Sequence, residues 1–218
     1  MKPFNTVLSE SATELMVQKS RFITYLVPVR TEEAATAQLE RIRKHHWDAA
    51  HHVPAWVLHE GGQKFSDDGE PGGTAGLPAL EALKHAGFEN CMAVVVRYFG
   101  GIKLGTGGLV RAYGQAVREA ISHAECYSVQ PYDRLELQTE YTQLGRLQAF
   151  LSQEGVTGLE TDFSDAVHMA FFVRAERTAA LQAALVDLTN GRSEACSRGT
   201  VRLAVSGNQA IPYDREES

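Results

Sequence analysis

Glycine is concentrated in about a quarter of this chain: 13 of its 19 glycines lie between Gly61 and Gly114. Two segments contain most of them, GGQKFSDDGEPGGTAG from residue 61 and GGIKLGTGG from residue 100. Glycine reaches backbone conformations that side chains forbid, but it loses the most conformational freedom on folding. We therefore expect two long loops, each held in place by regular elements around it.

The residues around these loops alternate between strand and helix patterns. Thr31 is placed to cap a helix whose first turn carries Glu32 and Glu33, which suits the positive end of the helix dipole. The continuous apolar run 92–98 indicates a strand buried on both faces. The predicted strands are 21–29, 52–58 and 92–98, and the further predicted helices are 78–85 and 106–124.

Beyond Pro131 the pattern is more regular, with strands at 135–139, 159–163, 167–173 and 201–205 and helices near 144–151 and 181–188. The order β-α-β-β-α-β is that of a ferredoxin-like sandwich. The chain is thus predicted to be α+β, an α/β two-layer arrangement, with an N-terminal domain over 1–130 and a ferredoxin-like domain over 131–206. Residues 207–218 are predicted to form a polar, mobile tail.

Charge and composition limit the partners. The formal net charge is −6, so contact with nucleic acid requires a local basic patch rather than bulk charge. No apolar run is long enough to span a bilayer, and the first residues lack the apolar core of a signal peptide. Three widely spaced cysteines predict neither a disulfide framework nor a metal pair. We expect a cytoplasmic protein without a membrane partner.

The first candidate site is the carboxylate loop, residues 65–76. Asp67, Asp68 and Glu70 crowd together there, and such carboxylates repel unless a cation, a basic group or backbone N–H groups compensate. One interpretation is a tight turn, in which aspartates bond their own backbone and glycine takes positive φ. The other is a cluster for a cation or for a basic neighbour within the fold. The spacing of a calcium loop is absent.

The second candidate is the glycine loop, residues 99–108, where a buried strand leads into a helix. This arrangement places free backbone N–H groups and a positive dipole end together, and favours an anion or phosphate site. Four basic residues and no acidic one lie between positions 97 and 118. The alternative is that these glycines serve close strand–helix packing. The candidate phosphate contacts are Lys19, Arg21, Arg97, Gly100, Gly101, Lys103, Gly105, Thr106, Gly107, Gly108 and Arg111.

His51 and His52 are adjacent, and adjacent residues of a regular strand point to opposite faces. The pair therefore does not share one metal ion. No nucleophile motif and no spaced Cys/His set is present, so no catalytic residue or metal site is assigned.

These segments closely resemble the IMPACT family, and within it the bacterial YigZ-like proteins. The resemblance covers about residues 15–125. The matching stretches are Lys19–Ile23, Ala50–His52, Phe65–Pro71, Gly73–Gly76 and Val94–Gly114. It implies that the motif residues beyond the phosphate contacts are His51, His52, Ser66, Asp67, Asp68, Gly69, Glu70, Thr74, Tyr98 and Tyr113.

The resemblance also implies a fold and a setting. The N-terminal domain would be similar to the second domain of ribosomal protein S5. The C-terminal domain would be similar to a C-terminal domain of elongation factor G. Eukaryotic relatives act in translational control, by binding a regulator of the kinase that phosphorylates an initiation factor.

Three hypotheses follow. The leading one is a non-catalytic, translation-associated protein that binds RNA, the ribosome or a translation factor and needs no cofactor. The alternative is an enzyme acting on a phosphorylated small molecule or nucleotide, with Mg²⁺ held by the carboxylate loop. In the third, the outward face of the third C-terminal strand serves protein interaction. Its residues would be His168, Ala170, Phe172 and Arg174.

Overall fold

A computed structural model describes residues 2–207 and 209–213, which divide into two compact units. The first is Phe4–Tyr127, and the second comprises residues 2–3 and the described residues from Ser128 onward. Helices combined with antiparallel sheets confirm the predicted α+β class. Within the described ranges, none of the helices has the length and apolar character needed to cross a membrane.

The first unit is built on a five-stranded antiparallel sheet in the order β2-β3-β6-β4-β5. Its elements in chain order are β1 (Phe4–Val7), β2 (Ser11–Val17), β3 (Ser20–Pro28), α1 (Glu32–His45), β4 (His51–Leu58), β5 (Gly62–Phe65), α2 (Gly76–His85), β6 (Cys91–Tyr98) and α3 (Gly105–His123). The predicted strands and helices of this unit are confirmed to within two residues at either end. The sequence patterns did not predict β1, β2 or β5.

Helices cover both faces of this sheet, so the first unit has three layers rather than the predicted two. α1 packs on one face through Ala35, Leu39 and Ile42. α2 and α3 pack on the opposite face, where α3 contributes Leu109 and Tyr113. The central strand β6 is therefore buried on both sides, which explains its continuous apolar sequence.

Local signals in the sequence account for the helix ends and faces. The Thr31 hydroxyl accepts the Ala34 N–H at 3.1 Å and caps α1, as predicted. On α3, one face with Leu109 and Tyr113 is buried, and the opposite face, with Arg111 and Arg118, is exposed. α3 thus presents a basic surface while its other side fills the core.

The second unit has the element order predicted for it. Its elements are β7 (Cys126–Thr139), α4 (Leu144–Gln153), β8 (Thr157–Phe163), β9 (Val167–Arg174), α5 (Thr178–Thr189), β10 (Ala195–Ser206) and β11 (Gln209–Pro212). The antiparallel strands run in the order β11-β10-β7-β9-β8. Both helices pack on the same core, α4 through Leu147 and Leu151 and α5 through Leu181 and Leu185. Asn190 ends α5 in a left-handed conformation with φ 52°.

Part of the segment predicted as a polar, mobile tail, 207–218, forms a strand instead. Gly207 turns the chain with φ 55°, and β11 then pairs antiparallel with β10. Tyr213 is buried, with its ring 5.9 Å from the Arg202 guanidinium carbon. Burial of Tyr213 and its contact with Arg202 thus stabilise the position of this segment against the sheet. The rest of the predicted tail, residues 208 and 214–218, lies outside the described residues.

Candidate functional site

Asp67 ties the carboxylate loop to the start of α2. Its carboxylate accepts the backbone N–H groups of Gly73 at 2.8 Å, Ala75 at 3.0 Å and Gly76 at 2.8 Å. Partial burial favours the neutral acid, but the three N–H donors favour the anion and together lower the pKa of Asp67. The charge of Asp67 is thus used inside the fold, at the positive end of a helix.

Asp68 fixes the same loop to α1 and β4. Its carboxylate accepts Arg43 Nη2 at 2.8 Å and the backbone N–H of His52 at 2.6 Å. Its carbonyl oxygen lies 2.7 Å from Nδ1 of His51, which must carry the proton because a carbonyl can only accept. The Ser66 hydroxyl accepts the Asp68 N–H, and Asp68 itself takes a positive φ of 44°. Asp68 therefore shows both features that the sequence offered as alternatives, a tight turn and a basic partner within the fold.

Glu70 is the most buried acid of the loop, with 4% of its side chain exposed. One carboxylate oxygen accepts Arg97 Nη1 at 2.6 Å and the Tyr113 hydroxyl at 2.7 Å. His51 Nε2 lies 3.7 Å from the same oxygen. Burial, reinforced by the hydrogen bond to Glu70 and by its charge, raises the pKa of Tyr113, so the phenol remains a donor. This buried cluster joins the carboxylate loop, β6, β4 and α3.

Arg97, predicted as a phosphate contact, belongs to that buried cluster instead, because only 6% of its side chain is exposed. Nη2 donates to the Ser20 hydroxyl at 3.3 Å, and the same oxygen accepts the Gly100 N–H at 3.3 Å. The guanidinium carbon lies 5.5 Å from the Phe22 ring centre and 5.6 Å from that of Phe99. Arg97 therefore contacts the glycine loop from the buried side, through Ser20 and Phe99, and is not part of its exposed basic surface.

The glycine loop itself is open. Gly101, Lys103 and residues 105–107 are exposed. The N-cap residue of α3 is Leu104, whose side chain makes no capping hydrogen bond, and the N–H groups of a first helical turn lack partners within the helix. Gly101 and Gly105 take φ values of 81° and 70°, which disfavour a side chain at either position. Exposed N–H donors and cationic side chains are thus brought together.

Lys19 lies against this loop. Gln18 and Lys19 form the two-residue turn between β2 and β3, both with positive φ, at 45° and 68°. A Cβ atom on Gly100 would lie 1.9 Å from the Lys19 carbonyl oxygen. Close packing therefore requires glycine at position 100, as one of the two interpretations of these glycines holds. The contact keeps an exposed lysine beside the glycine loop.

Arg21 and Tyr98 belong to the other face of the sheet, where Tyr98 packs beside the α1 core. Arg21 pairs with Glu14 at 3.0 Å, and its guanidinium carbon is 5.2 Å from the Tyr98 ring centre. The Tyr98 hydroxyl contacts His46 Nδ1 at 2.9 Å and donates to Asp48 at 3.2 Å. Burial is the main cause that raises the pKa of Tyr98. The side chains of Arg21 and Tyr98 thus interact with each other on the α1 side of the sheet.

Three residues of the site were missed by sequence reasoning. Ser20 and Arg43 have partners far along the chain, and nothing in the local pattern indicates them. Phe99 is different, because a large aromatic residue directly before two glycines was visible in the sequence. Thr74 is buried and bonds the Pro71 carbonyl at 2.7 Å, as part of the same closed loop.

The second unit presents a polar sheet face. On β9 the residues predicted to face outward alternate with buried ones, which confirms that face. Phe172 packs over Gly158, where an added Cβ would lie 2.9 Å from its ring. Glu136 pairs with both Arg134 and Arg198, at 2.9 and 2.7 Å, beside an open cavity of about 890 Å³. Over the described ranges, no three His, Cys, Asp or Glu side chains are grouped to hold a metal ion.

Known protein families match parts of both units. The Impact N-terminal domain matches residues 18–121, and a domain of unknown function, DUF1949, matches residues 137–192. IMPACT family member YvyE of Bacillus subtilis is 40% identical over 191 residues, covering 87% of this chain and 88% of that protein. IMPACT family member YigZ of Escherichia coli is 42% identical over 179 residues, covering 80% and 88%. A crystal structure of a hypothetical protein matches with a TM-score of 0.57 and 37% identity, covering 91% of this chain and 98% of the other.

Proposed function

The chain belongs to the IMPACT family, and on this premise we propose that it is a non-catalytic, translation-associated regulatory protein. It binds RNA through the glycine loop, either free RNA or RNA in a ribosome or translation-factor complex. The observation that carries the proposal is the open loop, in which Lys103 and residues 105–107 at the start of α3 are exposed and the N-cap residue Leu104 makes no side-chain cap.

Local charge favours an anionic ligand there although the whole chain is acidic. Lys19, Lys103 and Arg111 are all exposed, and no acidic residue lies between positions 97 and 118. At physiological salt, charges interact over only about 8 Å, so these cations outweigh distant carboxylates. Backbone N–H groups at a helix start add partial positive charge of the kind that binds phosphate.

We extend the proposal to the fold families of the two units. The second unit has the β-α-β-β-α-β order, and its strands β10-β7-β9-β8 are adjacent in the sheet, which supports a ferredoxin-like sandwich. For the first unit we propose likeness to the second domain of ribosomal protein S5, on the family resemblance. A cytoplasmic location fits an RNA ligand of this class.

The contacts of the carboxylate loop favour binding over Mg²⁺-dependent transfer. Asp67 accepts three backbone N–H groups, Asp68 accepts Arg43, and Glu70 accepts Arg97 and Tyr113. An enzyme of the alternative kind would require these carboxylates as Mg²⁺ ligands or a general base. Here they hold the loop closed instead.

Fluorescence anisotropy with a labelled fragment of ribosomal RNA, read at several salt concentrations, tests the proposal. Affinity should fall steeply with salt, by about 0.7 log units per log unit of salt for each phosphate contact to a single strand. The double variant Lys103→Ala/Arg111→Ala should bind more weakly and reduce this slope by about 1.4.

A matched control removes two positive charges elsewhere. Lys44→Ala/Arg146→Ala makes the same change in net charge at two exposed positions outside the glycine loop. It should leave the affinity and the salt slope near those of the wild type. Equal losses in both double variants, or no loss in either, would contradict a site at the glycine loop.

A further inference from the structure

Phe99 is an exposed aromatic side chain at the base of the glycine loop. About 52% of its surface is accessible, although β6 before it is buried from Cys91 to Arg97. The residues that follow are two glycines, which offer no side chain to cover the ring. Ile102 of the same loop is also 42% exposed. The loop therefore presents apolar surface beside its lysine, which fits a partner with an apolar face.

The ring has a firm support. The Arg97 guanidinium carbon lies 5.5 Å from the centre of the Phe22 ring and 5.6 Å from that of Phe99. That guanidinium is held by Glu70 at 2.6 Å and by Ser20 at 3.3 Å. Phe99 therefore makes a cation–π contact with a buried, hydrogen-bonded guanidinium, and such a contact favours a preorganised ring.

Phosphate-binding groups lie next to this ring along the backbone. Gly100 follows Phe99 and touches the Lys19 carbonyl, while Lys103 and the uncapped start of α3 follow a few residues later. Aromatic rings beside cations and free amides match the chemistry of an unpaired nucleotide, whose base has a flat apolar face and whose phosphate is anionic. A duplex offers the phosphates but keeps its bases stacked internally.

We infer that the glycine loop binds single-stranded nucleic acid, with one unpaired base stacked on Phe99. The inference rests on the proposed function and adds the class of ligand. It assigns Phe99 a binding role that sequence reasoning did not give it. Stacking is tolerant of base identity, because every base has a π-face, so the site selects for strandedness rather than for sequence.

Anisotropy titrations with a labelled 12-nucleotide RNA and with its duplex test this in the full-length protein. The wild type should prefer the single strand. Phe99→Leu should weaken single-strand binding by about 5- to 150-fold, which is the usual loss per stacked base, and should leave duplex binding unchanged. Phe99→Trp should retain single-strand affinity, and its added indole emission should be quenched by the RNA.

The outcomes separate the two proposals. If Phe99→Leu binds the single strand like the wild type, or if the duplex binds as tightly as the single strand, stacking is overturned while the phosphate contacts stand. If Lys103→Ala/Arg111→Ala also has no effect on either RNA, the proposed function fails with it. Urea unfolding of Phe99→Leu, followed by tryptophan emission, shows whether the variant keeps its fold.

Discussion

The carboxylate loop and the glycine loop look alike in sequence but are used differently. Both are rich in glycine and charge, and both lead into a helix. In the carboxylate loop every acid has a partner inside the first unit. In the glycine loop, by contrast, Lys103 and the start of α3 are exposed and uncapped. A segment rich in glycine and charged residues can therefore either stabilise the fold or form an exposed contact surface. Which of the two applies depends on whether its polar groups have partners inside the fold.

The buried cluster is where the two loops meet, since Arg97 is held by Glu70 and lies against Phe99. The carboxylate loop thus positions Arg97 and, through it, contacts the base of the glycine loop. Stability should then respond most strongly to changes in the carboxylate loop, and RNA binding to changes in the glycine loop. Both tryptophans, Trp47 and Trp56, lie in the first unit, so their emission reports on its unfolding.

Glu70→Ala should have the largest effect on stability. It leaves Arg97 buried without its carboxylate and Tyr113 without its acceptor, at a cost of about 3–5 kcal/mol in the free energy of unfolding. Urea titration followed by tryptophan emission measures this loss. Glu70→Gln keeps an oxygen acceptor and should cost less. A loss below about 1 kcal/mol for Glu70→Ala would show that the ion pair does not support the fold.

Two glycines of the second loop should respond oppositely to alanine. Gly100→Ala forces a Cβ into the Lys19 carbonyl and should destabilise the first unit by about 1–3 kcal/mol. Gly107 lies inside α3 with open space around it, so Gly107→Ala should stabilise the helix by up to about 1 kcal/mol. The added methyl group should nevertheless weaken RNA binding several-fold. Unchanged RNA affinity in Gly107→Ala would show that no phosphate approaches this turn.

Asp67→Ala should cost about 1–2 kcal/mol, because three backbone N–H groups lose their acceptor. The folded pKa of Asp67 is lowered, so its contribution is present above the unfolded value of about 3.9 and is lost as the pH falls through the folded pKa. The stability difference between wild type and Asp67→Asn should therefore be larger at pH 7 than at pH 3. Denaturant titrations at both pH values check this, and a constant difference would contradict it.

The smallest effect is expected in the turn beside the glycine loop. Lys19→Gly relieves a positive φ of 68° and should raise stability by about 0.5 kcal/mol. It should weaken RNA binding because it removes a cation. Gln18→Gly is the matched control, since it relieves a φ of 45° without changing charge. If both variants bind RNA equally well, Lys19 is only a turn residue.

Periodicity predicted most of the regular elements. Thr31 with Glu32 and Glu33 indicated the start of α1. Such signals succeed because they act between residues close in sequence. The second helical layer was missed because one apolar strand pattern fits several ways of covering both faces. The short strand β5 is fully exposed and has no apolar alternation to indicate it.

The candidate site was predicted in its residue types but not in its partnerships. Arg97 looked like the other cations of its stretch, and only the fold shows that Glu70 neutralises it. Arg43 and Asp68 meet across 25 residues of chain. Contacts of this kind depend on how strands and helices are arranged in space, which spacing within one segment does not encode. The number of charged residues in a motif is therefore larger than the number of charges that are free to contact a ligand.

The contact between Gly100 and the Lys19 carbonyl has an evolutionary consequence. A relative that lengthened the turn between β2 and β3 would withdraw that carbonyl, and position 100 could then accept larger residues. A relative that keeps the short turn must keep glycine there. The two positions should therefore covary across homologues, so that turn length in one hairpin foretells residue size in a loop far along the chain.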